Sequence, residues 1–198
     1  MERTSNYQKH LNKNPLSKIL IGNFYKTLLK LVEDLEISSV LDVGCGEGFT
    51  LDKLQKKHIG GRLEGMDNSP DAIEIGKKLH PDFVLKKGDV YKLAYKADSL
   101  DLVICTEVLE HLDDPRKALL ELIRVSKKYV LISVPNEPLF TMQRFLRGKN
   151  ILKLGDHPEH IQKWSSKSFQ QFIIKNSELK IIKVQTPFPW TMILLEKI

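Results

Sequence analysis

The chain has 198 residues, 41% of them hydrophobic and 28% charged, with a formal net charge of +6. This is the composition of a soluble globular protein and the length of one domain with a substantial core. No apolar run approaches the roughly 18 residues of a membrane helix, and the first residues lack the pattern of a signal peptide. Two cysteines, Cys45 and Cys105, then read as reduced thiols, so the expected compartment is the cytoplasm. The charge is unevenly placed: residues 1–30 carry +5, residues 31–140 carry −5 and residues 141–183 carry +6. Solvated helix faces explain such segregation, and so does an anionic acceptor, nucleic acid or lipid surface near the basic segments.

In chain order, apolar residues at helical spacing (Leu16, Ile19, Leu20, Phe24, Leu28, Leu31, Val32) predict an amphipathic helix over 16–33. Asn14 is its cap and Pro15 its first residue. Val40–Val43 reads as a strand and 47–57 as a helix. Leu63–Met66 reads as a second strand, and Ser69-Pro70-Asp71 starts a helix to Leu79. Phe83–Leu85 and Leu100–Cys105 are the third and fourth strands. Asp114-Pro115 opens a helix with Leu119, Leu120, Leu122 and Ile123 on its buried side. Tyr129–Val134 is the fifth strand. The segment Pro135–Trp164 has mixed character, and Ser165 or Ser166 caps a helix to Lys175. Leu179–Gln185 and Trp190–Glu196 are two last strands, joined by too few residues for a parallel crossover. The sum is an α/β fold: a doubly wound, Rossmann-like, seven-stranded sheet, mostly parallel, with a C-terminal antiparallel hairpin. Residues 1–198 form a single domain, with a helical cap over 1–33 and a substrate-side insertion over 135–164.

The first strand runs into Gly44-Cys45-Gly46-Glu47-Gly48 and then a helix, a turn that lets backbone approach a nucleotide-like ligand. Nineteen residues after Gly48, Asp67 ends the second strand, placed for ribose hydroxyls. A nicotinamide dehydrogenase also uses a glycine turn and a distal acid. Its fingerprint is G-x-G-x-x-G, whereas here the spacing is G-x-G-x-G and position 49 is Phe.

Taken with Leu41-Asp42-Val43, Gly65-Met66-Asp67-Asn68-Ser69-Pro70, Lys87-Gly88-Asp89-Val90, Asp98–Val103 and Glu107–Pro115, these motifs resemble the class I S-adenosylmethionine-dependent methyltransferases. The resemblance is to their broad small-molecule-type branch and covers nearly the whole chain. It implies S-adenosyl-L-methionine as cofactor and a small-molecule acceptor, anionic or amphipathic, whose oxygen, nitrogen or carbon takes the methyl. It places Gly44 and Gly46, with exposed amides, under the methionine part, flanked by Cys45 and Gly48. Asp42 would engage the ammonium end and Asp67 both ribose hydroxyls. Asn68 would lie beside the adenine, which Asp89 and the Val90 amide would read. Cys105 and Thr106 would set carbonyls near the reactive methyl. Cys45 itself reads as a small buried filler. Where the attacking atom holds a proton, the candidate bases are Glu107, His111, His160 and the loop residue His157. Tyr7 and His10 precede the first helix, where they would close the site.

The insertion supplies apolar anchors (Asn136, Phe140, Met142, Phe145, Leu146, Ile151, Leu152, Trp164) ringed by Arg144, Arg147, Lys149 and Lys153. Both basic flanks would approach the methyl-donor end. Two alternatives stand beside this reading. Glu107, Glu110, His111 and His160 resemble the metal-binding pattern of the methyltransferases that act on the 2′-oxygen at small-RNA 3′ ends. The main reading assigns no metal, and the nucleic-acid acceptor belongs to the alternative. A cofactor-binding sensor or partner subunit without catalysis is the second.

Overall fold

The computed structural model describes Tyr7, residues 14–146 and residues 160–198, with side chains described up to Gln143 and from His160 onward. The side chains of Arg144, Phe145 and Leu146, and the residues His10, Arg147, Lys149, Ile151, Leu152, Lys153 and His157, lie outside that description.

Helix α1 (Pro15–Val32) starts as its sequence dictates: Asn14 Oδ1 accepts from the amides of Leu16 and Ser17 at 2.9 and 3.3 Å, and proline takes the first helical position. Its buried stripe is Ser17, Phe24, Leu28, Leu31 and Val32. Leu16 and Ile19 were expected on that stripe, and they are exposed. The helix makes its contacts with α2 (Phe49–Lys56) and with the last strand. Helix α2 begins two residues later than the apolar pattern suggests, because Gly46 and Gly48 hold φ of +54° and +87°, outside the helical region.

Strands β1 (Ser39–Val43), β2 (Arg62–Asp67), β3 (Val84–Lys87), β4 (Leu100–Thr106), β5 (Ser126–Pro135), β6 (Lys180–Gln185) and β7 (Trp190–Glu196) form one sheet. Their order is β3-β2-β1-β4-β5-β7-β6. The first five are mutually parallel, and β7 runs antiparallel to both β5 and β6. The mostly parallel sheet and the terminal antiparallel pair match the sequence reading. The strand order reverses between β1 and β4, so a crevice opens there beyond the strands' carboxyl ends, where α/β sheets bind ligands.

Two apolar layers bury the sheet. On one face, α1, α2 and α3 (Pro70–Leu79) pack Phe24, Leu28, Leu51, Leu54 and Ile73 against Val40, Ile104, Leu131 and Leu194. On the other, α4 (Pro115–Val125) and α6 (Ser166–Asn176) pack Leu119, Leu122, Phe169 and Ile173 against Leu41, Val103, Ile132 and Ile193. Leu120 is 44% exposed, contrary to its expected burial. Ala118, Leu119, Leu122 and Val125 form the buried stripe at helical spacing, and Leu120 falls outside it. Helix α5 (Leu139–Leu146) follows β5.

Candidate cofactor and acceptor site

The glycine turn is stapled to the end of β2. Gly44 N and Cys45 N both donate to the Met66 carbonyl at 2.7 and 3.0 Å. Gly46 N donates to Asp67 Oδ2 at 2.8 Å, and Asp67 Oδ1 accepts from Ser69 N at 2.8 Å. The amides of Gly44 and Gly46 were expected to stand exposed; in the structure they are satisfied within the turn. The turn therefore serves a ligand by close approach of its backbone. Asp67 is half-buried and each of its oxygens keeps a second lone pair. Gly44 has φ +77°, and a Cβ there would stand 2.2 Å from Val108 Cγ2, so the loop after β4 sits directly on the first glycine. Cys45 is buried against Gly65, as a filler should be, and burial holds its thiol far above the ordinary value.

Asp42 lies beneath this turn, 1% exposed, and neither carboxylate oxygen has a hydrogen-bond partner of normal geometry. Burial raises its pKa to about 7, the charge of Asp67 adds to the rise, and the nearby Thr50 hydroxyl opposes it. A buried acid with so little local support, at a turn built for close approach, fits a ligand that brings a positive charge. Tyr25 of α1 stands in the same electrostatic group: burial raises its phenol pKa, the charge of Asp42 adds to this, and the Thr50 hydroxyl lowers it. Sequence reading missed Tyr25, although its spacing to Leu28, Leu29 and Val32 is helical. Tyr7 stacks over Phe49 at the start of α2, with ring centroids 6.4 Å apart.

Asn68 and Asp89 are exposed beyond the ends of β2 and β3, and Val90 is half-buried. Asp89 Oδ1 accepts from Tyr91 N at 2.9 Å, which fixes the loop in a turn. Cys105 is fully buried in the core, and Thr106 ends β4 in register with Ser133.

The loop after β4 carries Glu107 and His111, two of the groups named as bases. Glu107 has φ +58°, rare for a residue with a side chain. Its carboxylate is held on both sides: Oε1 accepts from Ser133 Oγ at 3.0 Å and Oε2 accepts from Trp190 Nε1. Trp190 in turn meets Phe24 edge-on, with ring centroids 5.0 Å apart. A 3₁₀ turn over Leu109–His111 follows. Glu110 is 1% exposed and His111 is half-buried. The rings of His111 and His160 have centroids 4.9 Å apart, and Phe140 of α5 lies 5.2 Å from His160. The structure thus brings His111 and His160 together and turns Glu107 away toward β5 and β7.

Strand order, glycine turn and the acids at the ends of β1 and β2 are those of a Rossmann-like α/β domain. Residues 41–133 of the chain match the methyltransferase domain family, and this similarity supports a class I S-adenosylmethionine-dependent methyltransferase. It is 28% identical over 155 residues to the mitochondrial ubiquinone biosynthesis O-methyltransferase of Schizosaccharomyces pombe, covering 74% of this chain and 53% of that protein. It is 32% identical over 94 residues to the norajmaline N-methyltransferase of Rauvolfia serpentina, covering 44% and 32%. A solved S-adenosylmethionine-dependent methyltransferase from Aquifex aeolicus shares the fold, with a TM-score of 0.71 over 99% of this chain and 100% of that one, at 16% identity. The chain spans 26% to 57% of the length of the curated relatives it matches. Among the described residues no helix is long and apolar enough to cross a membrane.

Proposed function

We propose that this domain transfers a methyl group from S-adenosyl-L-methionine to a small amphipathic acceptor. The observation that carries the reading is the orphaned Asp42 carboxylate beneath the glycine turn, with Asp67 anchored beside it. When bound, the cofactor supplies an electrophilic methyl on a positively charged sulfur. The protein's part is to hold and orient. Asp42 accepts from the ammonium end, and Asp67 accepts from the ribose hydroxyls through its remaining lone pairs. Asn68, Asp89 and Val90 line the adenine end, and the carbonyls of Cys105 and Thr106 face the reacting end.

On the acceptor side, Leu139, Met142 and Ile161 are exposed around Phe140 and His160. Apolar residues beside half-buried imidazoles suit a molecule with a greasy body and one polar, methylatable group. Similarity to proteins named for ubiquinone biosynthesis and norajmaline methylation supports a small-molecule acceptor. His111 and His160 are the groups placed to receive a proton from that group, and Glu107 acts as a positioning residue through Trp190 and Ser133. Arg144 and Arg147 would favour an anionic acceptor.

Calorimetry tests the cofactor half: S-adenosylhomocysteine binds and NAD does not, and the reverse preference would overturn the reading. A screen of metabolite extract with methyl-labelled cofactor tests the other half. Label in a small amphipathic product is expected, and label confined to RNA or protein would refute the acceptor class.

A further inference from the structure

Glu110, His111 and His160 form a group for which orientation of a methyl donor gives no reason. Among the described residues, one ligand atom from each of the three lies within 4.8 Å of the other two. Backbone bonds hold the group together. Ile161 N and Gln162 N both donate to the Glu110 carbonyl, at 2.8 and 2.9 Å, and Gln162 Nε2 donates to the Leu112 carbonyl at 3.1 Å. The segment that carries His160 is thus pinned to the 3₁₀ turn that carries Glu110 and His111.

The geometry points to a divalent-cation site formed by Glu110, His111 and His160, with its remaining positions open toward the acceptor. Metal–ligand bonds of ~2.0–2.2 Å place neighbouring ligand atoms roughly 3.0–3.5 Å apart, so side-chain rotations of about an ångström close the set. Two imidazoles with one carboxylate select borderline metals such as zinc or manganese over magnesium and calcium, which favour all-oxygen sites. Three protein ligands leave a vacant position, the pattern of catalytic sites. Glu110 is 1% exposed, and a cation beside it offsets the cost of burying its charge. Glu107, which the sequence pattern offers as a fourth donor, is not part of the group, because its carboxylate is turned toward Ser133 and Trp190.

The position gives the site a use. Val108, two residues before Glu110, touches Gly44 of the cofactor turn, so the three donors adjoin the end of the crevice where methyl transfer would occur. An acceptor hydroxyl at the open position would be acidified and lose its proton to water, which readies the oxygen for methylation. The two imidazoles would then act on the acceptor through the cation. This role rests on the proposed function; the existence of the site does not.

The test is calorimetry on chelator-treated full-length protein with Zn²⁺, Mn²⁺ or Mg²⁺ alone, followed by S-adenosylhomocysteine in the same samples. One equivalent of Zn²⁺ or Mn²⁺ should bind, with Mg²⁺ at least about tenfold weaker. His160→Ala and Glu110→Gln should each weaken Zn²⁺ binding by roughly tenfold or more, and Glu107→Gln by less than about threefold. Glu110 is buried and its variant is the one prone to misfold. His160→Ala therefore decides, with thermal unfolding to verify that it is folded. Absence of saturable binding up to about 1 mM metal, or equal Zn²⁺ affinity in wild type and His160→Ala, overturns the site. Metal failure with intact S-adenosylhomocysteine binding refutes this inference alone, whereas loss of S-adenosylhomocysteine binding in wild type refutes the proposed function.

Discussion

Asp42→Asn should uncouple stability from pH in the neutral range while removing cofactor affinity. In the folded protein Asp42 titrates at about 7, against 3.8 in an unconstrained chain, chiefly because burial disfavours its charge. The folded state therefore holds a proton that the unfolded state has released throughout that window. Stability falls as pH rises from about 4 to about 7 and then levels off. At 1.36 kcal/mol per unit, the full shift corresponds to roughly 4 kcal/mol, of which about 2–3 kcal/mol is lost between pH 5 and pH 8. The asparagine variant resembles the protonated acid and lacks this slope. Urea denaturation of both proteins at pH 5, 6, 7 and 8 measures it: the wild-type midpoint should fall relative to the variant's as pH rises. A cationic ligand end prefers the ionised acid, so wild-type affinity for S-adenosylhomocysteine should weaken by up to ~tenfold per unit below pH 7. The variant should show weak binding at every pH. Parallel stability profiles for the two proteins would refute the argument that Asp42 is an uncompensated buried acid.

Asp67→Ala should weaken S-adenosylhomocysteine binding by ~1–3 kcal/mol, the scale of bonds to a charged group, and calorimetry reads it directly. Gly44→Ala places a methyl against Val108 at a left-handed φ, so the variant should lose cofactor binding and several degrees of thermal stability. Trp190→Phe removes the donor to Glu107 Oε2 and should cost ~1–3 kcal/mol in urea unfolding, with S-adenosylhomocysteine affinity held. Arg144→Glu with Arg147→Glu should raise the apparent Michaelis constant for an anionic acceptor and leave cofactor affinity nearly intact.

The parts of the fold that the sequence made legible are those with local causes. Asn14-Pro15 and Ser69-Pro70 begin helices where their capping chemistry says they should. The short link between Gln185 and Trp190 left only an antiparallel arrangement for β6 and β7. Spacing alone misplaced Leu16, Ile19 and Leu120, since periodicity marks an apolar face but not which part of it meets a neighbour. At the site, the positions of Asp42, Asp67 and the glycines were readable because one strand–turn–helix unit and the strand beside it carry them all. The internal satisfaction of the Gly44 and Gly46 amides was hidden, since their partners are Met66 and Asp67 on the neighbouring strand. The role of Glu107 was equally hidden: its partners lie 26 and 83 residues away on β5 and β7.

That long-range contact links the two halves of the site. Glu107 follows β4 at the crevice, and a left-handed φ costs a residue with a side chain roughly 1–2 kcal/mol. Two side-chain hydrogen bonds and one from its own amide to the Ser133 carbonyl oppose that cost and hold the conformation. The same conformation sets Val108 on Gly44 and starts the turn that presents Glu110 and His111. Through Trp190 it also meets Phe24 of α1, whose next residue, Tyr25, lies in the field of Asp42. The glycine turn, the imidazole pair and α1 are therefore registered by one residue after β4. A disturbance at Trp190 should reach the imidazole pair first, because the acids Asp42 and Asp67 sit on β1 and β2, on the other side of the strand-order reversal.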